Sequence, residues 1–212
     1  MPSPWLAVPL ADYEAHMSAP GVGQYSLLST LFREVLLRCL PASVAVVGVA
    51  GGNGLEHVDP GMTRRVAGID VNQAYLDEVA LRYGVVGGLE LHCVDMTREA
   101  PGVEPAELVH AALVFEHAGV EGCLRNTLGL VAPGGWLSVV LQLPSVQAPG
   151  VAQTPFESIR GLSPHFSFVD PAWFTETVGA AGFVLVQEST HPVPAGKAFW
   201  VGLFCRDKGR DV

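Results

Sequence analysis

The feature that most limits how this chain can fold is a series of short apolar runs alternating with helical periodicity from residue 44 onward. The first, VAVVGVAGGNGLEH over residues 44–57, is rich in β-branched residues and breaks into glycines. Strands are expected over 44–49, 65–71, 89–94 and 107–114, with a fifth in APGGWLSVVLQLP after its turn. Between the second and third, NQAYLDEVALRYG places Tyr75, Leu76, Val79, Ala80 and Tyr83 on one helical face and stops at Gly84. Further helices are expected over 121–130 and in DPAWFTETVGAAG, where Asp170 suits an N-cap and Pro171 the first helical position. Strand and helix in alternation favour an α/β fold with a mostly parallel sheet. The last two strands, 183–189 and 198–206, are joined by THPVPAG, too short for a parallel crossover, so they pair antiparallel.

Ahead of this pattern, residues 11–40 read as helical, with Leu27, Leu28, Leu31, Phe32, Val35 and Leu36 forming an apolar stripe. That segment is either a packing helix at the sheet edge or a lid over a ligand at the strand ends. Residues 144–170 are irregular. A chain of 212 residues suits one domain, read here as an N-terminal helical cap, 1–40, on a main body, 41–212.

Composition excludes several classes. A net charge of −9, with basic residues clustered only at Arg64/Arg65 and at Arg206, Lys208 and Arg210, argues against a nucleic-acid partner. No apolar run approaches the ~20 residues that span a bilayer, and no basic stretch precedes an apolar signal core, so no membrane association and a cytoplasmic location are expected. Cys39, Cys93, Cys123 and Cys205 lack CxxC pairing and read as small buried residues in a reducing compartment. No His/Asp/Glu set has metal-ligand spacing. Exposed apolar surface would support a homodimer, which nothing in the sequence requires.

A strand running into Gly51, Gly52 and Gly54 lets backbone approach a ligand and aims free N–H groups at it. Asn53 and Glu56 have the spacing of a capping-box variant, so a helix is expected to start at the turn. A glycine turn can also serve only to join strand to helix. Asp70, 18 positions after Gly52, closes the second strand near the ~20-residue offset at which an acid meets ribose hydroxyls. Asp95 closes the third.

The set VVGVAGGNG, VAGIDVNQAYL, LHCVDMT, ELVHAALVFEH and LVAPGGWLSVV, in this order over about residues 44–143, resembles the class I S-adenosylmethionine-dependent methyltransferases of small-molecule type. The resemblance implies a Rossmann-like, doubly wound, mostly parallel sheet with a C-terminal antiparallel strand pair and an N-terminal helical lid. It implies S-adenosyl-L-methionine as cofactor, S-adenosyl-L-homocysteine as product and a small-molecule methyl acceptor. Gly48, Ala50, Gly52 and Asn53 would pass along the methionine part. Asp70 would bind the ribose hydroxyls, Val71 would lie beside the adenine, Asp95 would accept from its amino group and the Met96 N–H would lie near the ring. Ala112 and Leu113 would line the far wall. Two positions depart from the family: Gly48 stands where Asp or Glu is usual, and Ala50 where Gly is usual, which a negative φ would accommodate. The missing acid would pass its role to main-chain carbonyls or to the N-terminal helix.

FEH, residues 115–117, sits where the acceptor should enter, and His117 is the candidate base, with an unperturbed pKa near ~6.5. Alternatively Glu116 and His117 only open the next helix. Tyr13, His16 and Met17 share a helical face and, with Glu116 and His165, are candidate acceptor contacts. A nicotinamide-dependent oxidoreductase and a non-catalytic binding protein on the same fold are the rival readings.

Overall fold

A computed structural model describes residues 3–86, 88–145 and 150–208. Arg210 of the basic tail and positions 146–149 of the irregular stretch lie outside the described residues. The core is one seven-stranded sheet built from β1 (Ser43–Val47), β2 (Arg65–Asp70), β3 (Leu89–Cys93), β4 (Ala106–Ala112), β5 (Val131–Gln142), β6 (Phe183–Val193) and β7 (Lys197–Arg206). Its order is β3-β2-β1-β4-β5-β7-β6, parallel throughout except for β7, which runs against both β5 and β6. The expected connection 190–196 is shorter than its sequence suggests, because β6 continues to Val193 and leaves only the 3-10 turn Pro194–Gly196.

The inner strands β1, β2 and β4 form here because their side chains are buried on both faces, which favours near-continuous apolar runs over alternation. Val44, Val46, Val66 and Leu108 face α2 (Gln24–Cys39) and α3 (Gln73–Tyr83), where Phe32, Val35, Leu36, Leu76 and Val79 receive them. Ala45, Val47, Ala67, Ile69, Val109 and Ala111 face the opposite way, in a core shared with Phe115, Leu124 and Phe174. Those three come from α4 (Phe115–Ala118), α5 (Glu121–Gly129) and α7 (Pro171–Ala180). Asp170 caps α7 as expected, its side chain accepting from the Ala172 N–H. At the sheet edge β6 exposes Val184 and Val186.

Two expectations are corrected. No helix starts at the glycine turn, which is followed only by the 3-10 turn Leu55–His57. Asn53 Nδ2 donates to the Tyr25 carbonyl (2.9 Å), its Oδ1 has no hydrogen-bond partner among the described residues, and Glu56 Oε2 accepts from the Gly54 N–H (2.9 Å) instead of that of Asn53, so the capping pair does not form. Phe32 of α2 packs with Leu55 and Val58 there, so α2 covers the face a β1–β2 helix would occupy. The N-terminal segment is two helices, α1 (Leu10–Ser18) and α2, broken where Gly23 takes a φ of 58°. Among the cysteines only Cys123 is buried, and Cys93 is exposed.

Candidate active site

The strand order reverses between β1 and β4, and it is outside the carboxyl ends of strands at such a switch that open α/β sheets leave a crevice. A cavity of about 360 Å³ lies there. The N-terminal segment roofs it. Asn72 Nδ2 donates to the Trp5 carbonyl (3.0 Å), the Tyr75 hydroxyl to the Val8 carbonyl (2.9 Å) and the Ser158 hydroxyl to Asp12 Oδ2 (2.7 Å). Val8 packs with Ile159 and Leu162, so the stretch containing α6 (Glu157–Arg160) closes the roof from the other side. Arg82, at the end of α3, holds both carboxylate oxygens of Glu14 on α1 and donates to the Gly51 carbonyl (3.3 Å).

Of the residues expected at the cofactor, Gly48, Ala50, Asp70, Val71, Asp95, Met96, Ala112 and Leu113 line this cavity. Gly52 and Asn53 do not. Gly52 has a φ of 84°, and a Cβ there would come within 2.6 Å of Tyr83 Cε2, so it is glycine to pack against the end of α3. Asn53 Nδ2 donates to Tyr25. Nor is the turn a set of free donors: the N–H groups of Gly48 and Val49 donate to the Ile69 carbonyl, and that of Ala50 to Asp70 Oδ2 (3.0 Å). Ala50 takes a φ of 47°, not the negative value its side chain prefers. Gly48, at φ 69°, has no room for a side chain, because a Cβ would sit 2.7 Å from Val114 Cγ2.

Asp70 is buried, and its oxygens accept one backbone N–H each, from Ala50 and from Asn72 (2.9 Å). A carboxylate offers about four acceptor sites, so acceptor capacity remains for a ligand. Burial raises its pKa, opposed by the backbone N–H groups of Asn72, Ala50 and Val71. Asp95 is half-buried; Oδ1 takes the Thr97 N–H (3.0 Å) and hydroxyl (2.6 Å), and Oδ2 meets Arg98 Nε (3.2 Å).

The other half of the cavity holds Tyr13, His16, Met17, His117 and His165. His117 stands edge-on between Trp5 (5.0 Å) and Phe166 (5.1 Å), and its Nδ1 is buried without a hydrogen-bond partner among the described residues. Burial, aided by His165, holds its pKa down to about 4, so the imidazole is neutral at pH 7. His16 is lowered by burial and by Lys197. Glu116 is not in the cavity wall. It is 1% exposed, Oε1 accepts the Gln142 N–H (2.6 Å), and burial raises its pKa to about 7. It ties α4 to the end of β5.

Trp5, Gln24, Tyr75, Gln142, Phe166 and Lys197 also line the cavity. Of these only Phe166, in the aromatic loop 158–171, is singled out by the sequence, where it suits either an acceptor wall or a contact that pins the loop to the core. Trp5 precedes any periodic pattern, Gln142 lies in strand sequence and Lys197 just ahead of it, and Tyr75 and Gln24 read as helix positions. The one available signal was that Lys197 is one of only two lysines in the chain. No described helix is long and apolar enough to cross a membrane, and no metal-binding group of His, Cys, Asp and Glu occurs among the described residues.

No protein-family model and no curated protein matches the sequence. Solved structures do match. The N-methyltransferase NodS from Bradyrhizobium japonicum WM9, in complex with S-adenosyl-L-homocysteine, superposes with a TM-score of 0.64 at 16% identity, over 86% of this chain and 87% of its own. Magnesium protoporphyrin IX methyltransferase from Synechocystis PCC 6803, with the same molecule bound, gives 0.66 at 15% identity over 88% and 84%. The [4+2]-cyclase SpnF gives 0.70 at 13% identity over 96% and 94%. The reversed seventh strand, the crevice at the β1/β4 switch and these superpositions together give the chain the Rossmann-like fold of the S-adenosylmethionine-dependent methyltransferases.

Proposed function

We propose that this chain is an S-adenosylmethionine-dependent methyltransferase acting on a small-molecule acceptor. The observation that carries the reading is Asp70: a buried carboxylate oriented by two backbone N–H groups, on the cavity wall, at the end of the second strand. Its remaining acceptor capacity suits the hydroxyls of a ribose. Val71 and the Met96 backbone offer an apolar slot for the adenine, with Asp95 as acceptor for its amino group, and the walls at Gly48, Ala50, Ala112 and Leu113 take the methionine part. The cavity volume lies within the roughly 300–1,000 Å³ of small-molecule sites. When bound, S-adenosylmethionine supplies an electrophilic sulfonium methyl group.

What the chain itself contributes is positioning and exclusion of water, which suffice where the nucleophile arrives unprotonated. The roof built from Trp5, α1 and α6 covers the crevice. His117, its imidazole neutral in an aromatic wall of the cavity, is the residue that would accept a proton from an acceptor that arrives protonated. A conjugate acid near 4 makes it a weak base, suited to acceptors already acidified by their own structure.

The fold does not decide the chemistry, since SpnF is described as a cyclase. Calorimetric titration with S-adenosylhomocysteine and with NADH separates the cofactor classes. Binding of the first is expected, and Asp70→Ala should weaken it by about ten- to a hundredfold, from charged hydrogen bonds worth roughly 1.5–3 kcal/mol. NADH binding without S-adenosylhomocysteine binding would replace this reading with an oxidoreductase. A screen with labelled methyl donor then distinguishes transfer from cofactor binding alone.

A further inference from the structure

Because β7 runs against β5, its first residue lies at the same sheet edge as the last residue of β5, with Gln142 registered against Phe199. Across the crevice the edge therefore carries Asp95 after β3, Asp70 on β2, Gly48 after β1, Gln142 on β5 and Lys197 on β7. Four strand steps separate Asp70 from Lys197, roughly 19 Å at about 4.8 Å per step. The two acids that face the proposed cofactor are thus too distant to neutralise the lysine.

Lys197 is 4% exposed and lines the cavity. Its Nζ donates to the Gly150 carbonyl (2.7 Å), a carbonyl that also receives Gln142 Nε2 (2.8 Å). An ammonium has three donors, so among the described residues this leaves two. No carboxylate of the described residues pairs with it; its polar neighbourhood is Gln142 and a neutral His16. Burial lowers its pKa only to about 8, so the cation persists at neutral pH. A buried cation without a counter-charge is destabilising, and in a chain with two lysines this one stands in the cavity wall.

We infer that Lys197 recognises an anionic oxygen group, carboxylate or phosphoryl, on the methyl acceptor, whose apolar body lies against the Trp5–His117–Phe166 wall. This rests on the methyltransferase reading, in which the β2–β3 end of the crevice is taken by the cofactor and the β5–β7 end by the acceptor.

The test uses phenylacetate, phenylphosphonate and the neutral phenylacetamide as probes, titrated into the full chain loaded with S-adenosylhomocysteine. The anions should bind at least about tenfold more tightly than the amide, and their order distinguishes carboxylate from phosphoryl recognition. Lys197→Met and Lys197→Gln should erase that preference while leaving S-adenosylhomocysteine affinity unchanged, and Lys197→Arg should keep it. Equal binding of anion and amide, no binding of either anion up to millimolar concentration, or a preference that survives Lys197→Met would overturn the assignment. The wild-type preference is read independently of whether any variant folds. If S-adenosylhomocysteine does not bind at all, the cofactor reading fails, and the same comparison on the unloaded chain still decides the role of Lys197.

Discussion

Gly48→Ala adds a single methyl group to the glycine turn and measures why no acid stands there. Two costs are expected. The backbone at φ 69° is left-handed, which disfavours any residue with a Cβ by roughly 1–2 kcal/mol. The new Cβ would also lie 2.7 Å from Val114 Cγ2, and overpacking of this kind typically costs about 1–3 kcal/mol. The variant should therefore lose about 2–5 kcal/mol. Val114→Ala removes the methyl group that is struck, so the double variant should recover the packing part and keep only the backbone part. Urea denaturation of the four chains closes a double-mutant cycle, in which a coupling of about 1–3 kcal/mol is expected. A loss below about 0.5 kcal/mol in Gly48→Ala would show that neither the angle nor Val114 excludes a side chain, and a coupling of zero would remove Val114 as the obstacle. Aspartate or glutamate would meet the same obstacles. From α1, Glu14 does reach the turn: its Oε1 is where a Cβ on Gly51 would point, and Arg82 pairs with it.

Glu116→Gln should stabilise the chain in a pH-dependent way. Burial raises the folded pKa from 4.5 to about 7, so this group's contribution is full below about pH 4.5 and is lost as pH rises through 7. The glutamine variant lacks that loss and should gain about 3 kcal/mol over wild type between about pH 5 and about pH 8; a gain independent of pH would contradict the assignment. Glu14→Gln loosens the hold of Arg82 on α1, and because both side chains are partly solvent-exposed, global stability should change by less than about 1 kcal/mol. Release of S-adenosylhomocysteine should nevertheless quicken several-fold in stopped-flow measurements, and an unchanged rate would show that α1 does not gate the crevice.

The layout of the sheet was legible because each of its signals is local. Runs such as VAVV and VAGID are continuous apolar segments that only doubly covered strands bury, and Asp70 and Asp95 mark their ends by position alone. A seven-residue connection cannot carry a crossover, so the reversed strand followed from chain length. What the sequence left undecided depends on groups far apart in the chain. Whether Asn53 caps a helix turned on α2, which packs over the turn and whose Tyr25 carbonyl, 28 residues away, holds the Asn53 Nδ2. Whether Gly48 could be an acid turned on Val114, and whether Ala50 needed a negative φ turned on the bond its N–H makes to Asp70. Lys197 falls just ahead of the expected strand 198–206, and its position carries no signal of its own until β7 reverses against β5 and brings it into the crevice beside Gln142. Local periodicity determines which residues are strand or helix, because burial acts on each segment's own face. Only the folded chain decides which polar groups are already satisfied and which remain to bind a ligand, because their partners arrive from other strands.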